Sequence, residues 1–115
     1  MVLMRKEDRS LLIQYMGDTP KLRIIDFFLD NIGSDYSKKE IIEFIGISKT
    51  TFYKVWDELM QFEVLTPTRR YGKAQLYTLN KDSTIIQKFK SLDDELARQT
   101  MEKSIKKEEP IDVTK

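Results

Sequence analysis

The sequence contains neither cysteine nor histidine. The first absence excludes a disulfide framework and any thiolate metal site. The second removes the side chain most used for proton transfer near neutral pH, and with it most metal chemistry and most general acid–base chemistry. Glycine occurs only four times, at scattered positions that form no phosphate-cradling loop. The acidic run Asp93-Asp94-Glu95 reads as a solvated helix face. No enzyme is expected, and no cofactor or metal is implied. Long hydrophobic runs are also lacking: Met1-Val2-Leu3-Met4 is followed at once by Arg5, Lys6, Glu7 and Asp8, so a signal peptide or membrane span is not expected and the protein reads as soluble and cytoplasmic.

What is present is a 115-residue chain, 40% apolar, which suits one domain with a modest core. The formal charge of +1 hides an uneven distribution. Residues 37–81 hold eight bases and five acids, a net of +3, whereas the segments on either side are slightly acidic. From Val64 to Lys81 the chain carries Arg69, Arg70, Lys73 and Lys81 without one Asp or Glu. A near-neutral protein can therefore own a local positive patch.

Local chemistry divides the chain into elements. Leu11-Leu12-Ile13 and Tyr15-Met16 are too short for periodicity to separate helix from strand, and a short helix is the expectation. Thr19-Pro20 is a helix start, since Thr caps free N–H groups and Pro fits the first turn; Leu22, Ile25, Phe28 and Leu29 follow as an apolar stripe. Ser37-Lys38-Lys39-Glu40 has capping-box form and opens a short helix that Gly46 stops. Ser48 then begins another helix, whose stripe runs Phe52, Val55, Trp56, Leu59 to Phe62. Two short helices around a glycine-bearing turn have helix-turn-helix organisation. Val64–Thr68 and Ala74–Leu79, joined by a turn at residues 69–73, read as a β-hairpin, with Pro67 placing its strand at an edge or a bend. Finally Ile85, Phe89, Leu92 and Leu96 recur at the seam spacing of a helix that packs on another helix.

The order of these elements, the GISKTTFYKVWDEL stretch at 46–59 and the EVLTPTRRYGKAQLYTLN stretch at 63–80 resemble the winged helix-turn-helix transcriptional regulators of bacteria and archaea, of the MarR/ArsR-like type. The resemblance covers roughly residues 19–96 and departs from the usual pattern in the bulk of Phe52 and Trp56. It implies a mainly α fold with a small β-hairpin, an α+β winged helix-turn-helix with an added C-terminal helix. It also implies double-stranded DNA as partner.

Physical chemistry independently names the contacting residues. The major groove of B-DNA admits one α-helix, read by the residues of its N-terminal turns. Lys49, Thr50, Tyr53 and Lys54 lie there on the side opposite Phe52, Trp56 and Leu59. Lys38 and Lys39 at the preceding helix start suit a phosphate, and Arg69, Arg70 and Lys73 at the hairpin tip suit neighbouring phosphates or the minor groove. Each group has a plainer reading: Lys49 and Lys54 as a solvated face, Arg69-Arg70 as protection of a sheet edge. A winged helix can also serve as a protein–protein module inside a larger assembly.

Four segments result: an N-terminal extension (1–18), the DNA-binding domain (19–81), a C-terminal helix (82–103) and a charged tail (104–115) expected to be disordered. The C-terminal seam of Ile85, Phe89, Leu92 and Leu96 packs either on the helix of its own domain that starts at Thr19-Pro20 or on the same helix of a second chain. A homodimer is the preferred reading, because a small winged helix has little internal surface left to cover so long a helix, and Leu11, Leu12 and Tyr15 could join that interface.

Overall fold

The computed structural model of the protein describes residues 10–108. Helix α1 spans Leu11–Met16 and starts where the Ser10 hydroxyl accepts from the Ile13 N–H at 3.2 Å. Helix α2 spans Pro20–Leu29, capped by Thr19, whose hydroxyl accepts from the Leu22 N–H at 3.2 Å. It buries the expected Leu22, Ile25, Phe28 and Leu29, and Ile24 as well. The extra burial follows from position, since α2 meets α1 and three of the elements described next, and a helix covered on several sides buries more than one stripe.

Strand β1 is the two-residue Tyr36–Ser37, helix α3 spans Lys38–Ile45 and helix α4 spans Lys49–Gln61. Strands β2 (Leu65–Tyr71) and β3 (Ala74–Leu79) form the hairpin, and the sheet order is β1-β3-β2, antiparallel throughout. Strand β1 was not expected, because two residues carry no alternation and Ser37 is already legible as a helix cap. The hairpin turn is also tighter than the 69–73 reading. Tyr71 pairs with Ala74, leaving only Gly72 and Lys73 between strands, and Gly72 supplies the positive φ of 62° that so short a turn requires. Pro67 does lie on an outer strand, where its missing N–H costs no ladder bond. The register of β2 against β3 shifts between Pro67 and Arg70.

The core joins Leu12 and Ile13 of α1, the α2 stripe, Ile41, Phe52, Trp56, Leu59, Val64, Leu65, Leu79 and Ile86. Phe62 departs from its expected stripe and is 57% exposed. It is the residue at which α4 ends: Glu63 turns to φ 55° and the Val64 N–H returns to the Leu59 carbonyl at 3.1 Å.

Helix α5 runs Thr84–Glu108, past the expected end at 103; the tail from residue 109 and the first nine residues of the N-terminal extension lie outside the described residues. Its buried seam begins at Ile86, 3% exposed, whereas Ile85 is 38% exposed; Phe89, Leu92 and Leu96 are partly buried against the chain's own core. Adjacent isoleucines make either register readable; Ile86 is the one that joins the core cluster, and α5 packs mainly on α1 rather than on the expected α2. Leu12 is fully buried within the chain and Tyr15 is 71% exposed. The radius of gyration is 17.3 Å, against about 13 Å for a compact domain of this length. No helix of the described residues is long and apolar enough to cross a membrane.

Among the described residues one carboxylate is buried. Asp26 on α2 is 9% exposed, and its pKa rises to about 6, chiefly because burial disfavours the charged form; a hydrogen bond with Ser10 opposes the rise, and the charges of Asp30 and Asp93 add to it. A raised carboxyl pKa means that the folded state holds its proton more tightly than the unfolded chain. This favourable contribution is full below the ordinary carboxyl range and is lost as pH rises through about 6. Asp26→Asn is expected to raise the melting temperature at pH 8, by about 1–2 kcal/mol of stability, and to change it little at pH 4. Thermal melts of both proteins at the two pH values check this.

Candidate nucleic-acid interface

The turn between α3 and α4 is built from two short-range devices. At the start of α3 the capping box is complete, with the Glu40 N–H donating to the Ser37 hydroxyl at 3.2 Å and the Ser37 N–H donating to the Glu40 carboxylate at 2.9 Å. At its end Gly46 adopts φ 77°, ψ 37°, the left-handed cap that a side chain would strain, and only Ile47 separates it from the Ser48 cap of α4.

Helix α4 is anchored in the core by one side. Phe52, Trp56 and Leu59 are 0%, 4% and 2% exposed; the Phe52 and Trp56 rings stack at 4.9 Å, and Trp56 meets Tyr77 of β3 edge-on at 4.9 Å. On the other side Lys49, Thr50, Tyr53 and Lys54 are all exposed, as the sequence spacing predicts. This side carries no acid over the first two turns of the helix. Asp57, also exposed, stands four residues beyond Tyr53 and so on the same side, which leaves only the first two turns positively charged.

The positive residues of α3 behave differently from each other. Lys39 is exposed. Lys38 is half-buried, with its Nζ 5.4 Å from the Tyr53 ring centre and 5.5 Å from that of Trp56, so it ties the start of α3 to α4 by cation–π attraction.

The wing cations also divide. The Arg69 guanidinium donates through Nε to Asp35 Oδ2 at 3.0 Å and through Nη2 to Oδ1 at 3.3 Å, and the Thr68 hydroxyl donates to the same carboxylate at 2.6 Å. Arg69 first and Thr68 second hold the Asp35 carboxyl below its ordinary range. Arg70 turns back across the hairpin to the Lys73 carbonyl at 3.4 Å, and Lys73 is exposed. Beside the Asp35–Arg69 pair lies an open cleft of about 320 Å³, whose lining includes Ser37, Glu40 and Tyr71.

Two residues of this surface escaped the sequence reading. Tyr71, 76% exposed between Arg70 and the turn glycine, was visible as an aromatic beside basic residues. Asp35 carried no local signal, since its partners are 33 and 34 residues away.

No protein-family model and no curated protein matches this sequence. Among solved structures the chain is similar to MepR, a transcription regulator of the Staphylococcus aureus multidrug efflux pump MepA, with a TM-score of 0.59 and 11% identity over 80% of this chain and 69% of that one. It is also similar to a possible transcriptional regulator from Methanosarcina mazei, with a TM-score of 0.51 and 12% identity over 87% of each chain. At such identities the likeness shows fold: a winged helix-turn-helix, α+β, with a small three-stranded antiparallel sheet.

Proposed function

We propose that the protein is a sequence-specific, double-stranded DNA-binding transcriptional regulator of the cytoplasm. The first two turns of α4 read the major groove through Lys49, Thr50, Tyr53 and Lys54, while Lys39, Arg70 and Lys73 grip phosphates around it. The observation that carries this reading is continuity. The Asp35–Arg69 pair fastens the wing to the segment leading into α3, and Lys38 over Tyr53 fastens the start of α3 to the polar side of α4. The three basic elements thus adjoin one another. Transcription as the use is supported by the two similar structures, both described as regulators or possible regulators. Binding of a mixed-sequence 30-base-pair duplex, followed by fluorescence anisotropy, tests the reading. Phosphate contacts by Lys39, Arg70 and Lys73 give a slope of log affinity against log salt of about −2.7, so affinity falls roughly 40-fold between 50 and 200 mM salt. A flat salt response would remove DNA from the account.

The same reading includes a homodimer formed through α5. Phe89, Leu92 and Leu96 are only partly covered by the chain's own core, and residues 97–104 of α5 are all exposed, braced by the Glu95–Arg98–Glu102 ion pairs. Leu92→Lys is expected to shift sedimentation from the dimer to the monomer mass at micromolar concentration. A wild-type protein already monomeric at 100-fold higher concentration contradicts the dimer and points to a single half-site.

A further inference from the structure

We propose that Asp35 sets the strength of the wing's hold on DNA, by occupying the Arg69 guanidinium and so withholding one positive charge from the phosphates. The proposal rests on the DNA-binding reading above. Three features of the fold lead to it. Asp35 immediately precedes β1, one outer strand of the sheet, whereas Thr68 and Arg69 belong to β2, the other outer strand, so the carboxylate is held across the middle strand β3. Thr68 and Arg69 fall where the β2–β3 register shifts, between Pro67 and Arg70, and this irregularity re-aims their side chains relative to a regular ladder. The exposures are unequal: the Asp35 side chain is 18% exposed and that of Arg69 68%. The acid is thus seated, fixed by three donors, while the guanidinium it holds remains open to an approaching anion.

A carboxylate on two guanidinium N–H groups uses the same fork that would otherwise grip a phosphate. It also cancels the charge. An Arg69–Asp35 pair is neutral as a unit and displaces almost no counterion from DNA, which leaves the wing's salt-dependent attraction to Arg70 and Lys73. Neutralising Asp35 converts the unit to +1 and adds one phosphate contact, worth about 0.9 in the slope of log affinity against log salt. Asp35 acts through Arg69 and does not itself touch DNA.

The test is anisotropy of the full chain with the mixed-sequence 30-base-pair duplex at 50–200 mM salt, for wild type, Asp35→Asn, and Asp35→Asn combined with Arg69→Ala. Asn keeps the shape and an oxygen that can accept from Thr68. Asp35→Asn is expected to bind more tightly at 50 mM and to lose about 3.5-fold more affinity than wild type on going to 200 mM. Adding Arg69→Ala removes that gain. Asp35→Ser gives the same steepening from a side chain of different shape, which separates the charge from the fit of Asn. A purely structural role for Asp35 predicts the opposite, a loosened wing that binds more weakly on an unchanged slope, and this result overturns the proposal while leaving DNA binding intact. A steeper slope that survives Arg69→Ala also overturns it, since the released charge would then not be that of Arg69. If wild type and Asp35→Asn alike fail to bind at 50 mM, the proposal falls together with the reading on which it rests.

Discussion

Trp56→Ala is expected to cost about 3–5 kcal/mol of folding stability, a large share of the roughly 5–15 kcal/mol that holds a domain together. Trp56 is 4% exposed, stacks on Phe52 and meets Tyr77 edge-on, so its loss opens a cavity at the junction of α4 and the sheet. The same ring also faces the Lys38 Nζ, and truncation removes part of the attraction that fixes α3 against α4. In urea the midpoint should fall sharply with little change in slope, and DNA binding should fail in proportion to the fraction unfolded. A variant that folds as stably as wild type would show that α4 is not held by this ring.

The second large effect lies on the opposite side of the same helix and takes the opposite form. Thr50→Ala and Lys54→Ala remove exposed groups, so each should alter stability by no more than about 0.5 kcal/mol. Their cost appears in discrimination among DNA sequences, where one good base contact is worth about 1–3 kcal/mol, or roughly 5- to 150-fold. Lys49→Ala should reduce the salt slope by about 0.9 if its partner is a phosphate and leave it almost unchanged if its partner is a base edge. Competition binding between a preferred and a scrambled duplex at fixed salt, beside thermal melts, separates the two faces of α4. Loss of stability together with loss of binding in the Thr50 and Lys54 variants would mean that these residues support the fold.

The contrast explains which parts of the molecule were legible in its sequence. Helix ends were, because their causes are local: Thr19 before Pro20, Ser37 three residues before Glu40, Gly46 and Ser48 each act on neighbours within one turn. The two faces of α4 were legible for the same reason, since helical periodicity alone separates Phe52, Trp56 and Leu59 from Thr50, Tyr53 and Lys54. What stayed hidden depends on residues far apart in the chain. Strand β1 exists only because Tyr36 and Ser37 meet Tyr77 and Leu76. The choice of Ile86 over Ile85 is made by the tertiary core that Ile86 joins, and the burial of Asp26 by the elements around α2. The division of labour between Arg69 and Arg70 is the most consequential case. Adjacent in sequence and chemically identical, they differ because one reaches Asp35 and the other turns back to the Lys73 carbonyl.

The central claim is that the exposed side of α4 reads DNA sequence, and selection of bound sites from a random duplex pool measures it most directly. Wild type and the Thr50→Ala/Lys54→Ala double variant would be taken through the pool in parallel, at one salt concentration and at protein levels giving equal total binding. The account predicts that wild type enriches a defined motif and that the double variant, still folded and still bound to DNA through Lys39, Arg70 and Lys73, enriches that motif weakly or loses it at the positions those two side chains read. Enrichment of the same motif to the same degree by both proteins would contradict the account and leave the polar side of α4 as a backbone clamp or a surface for another protein.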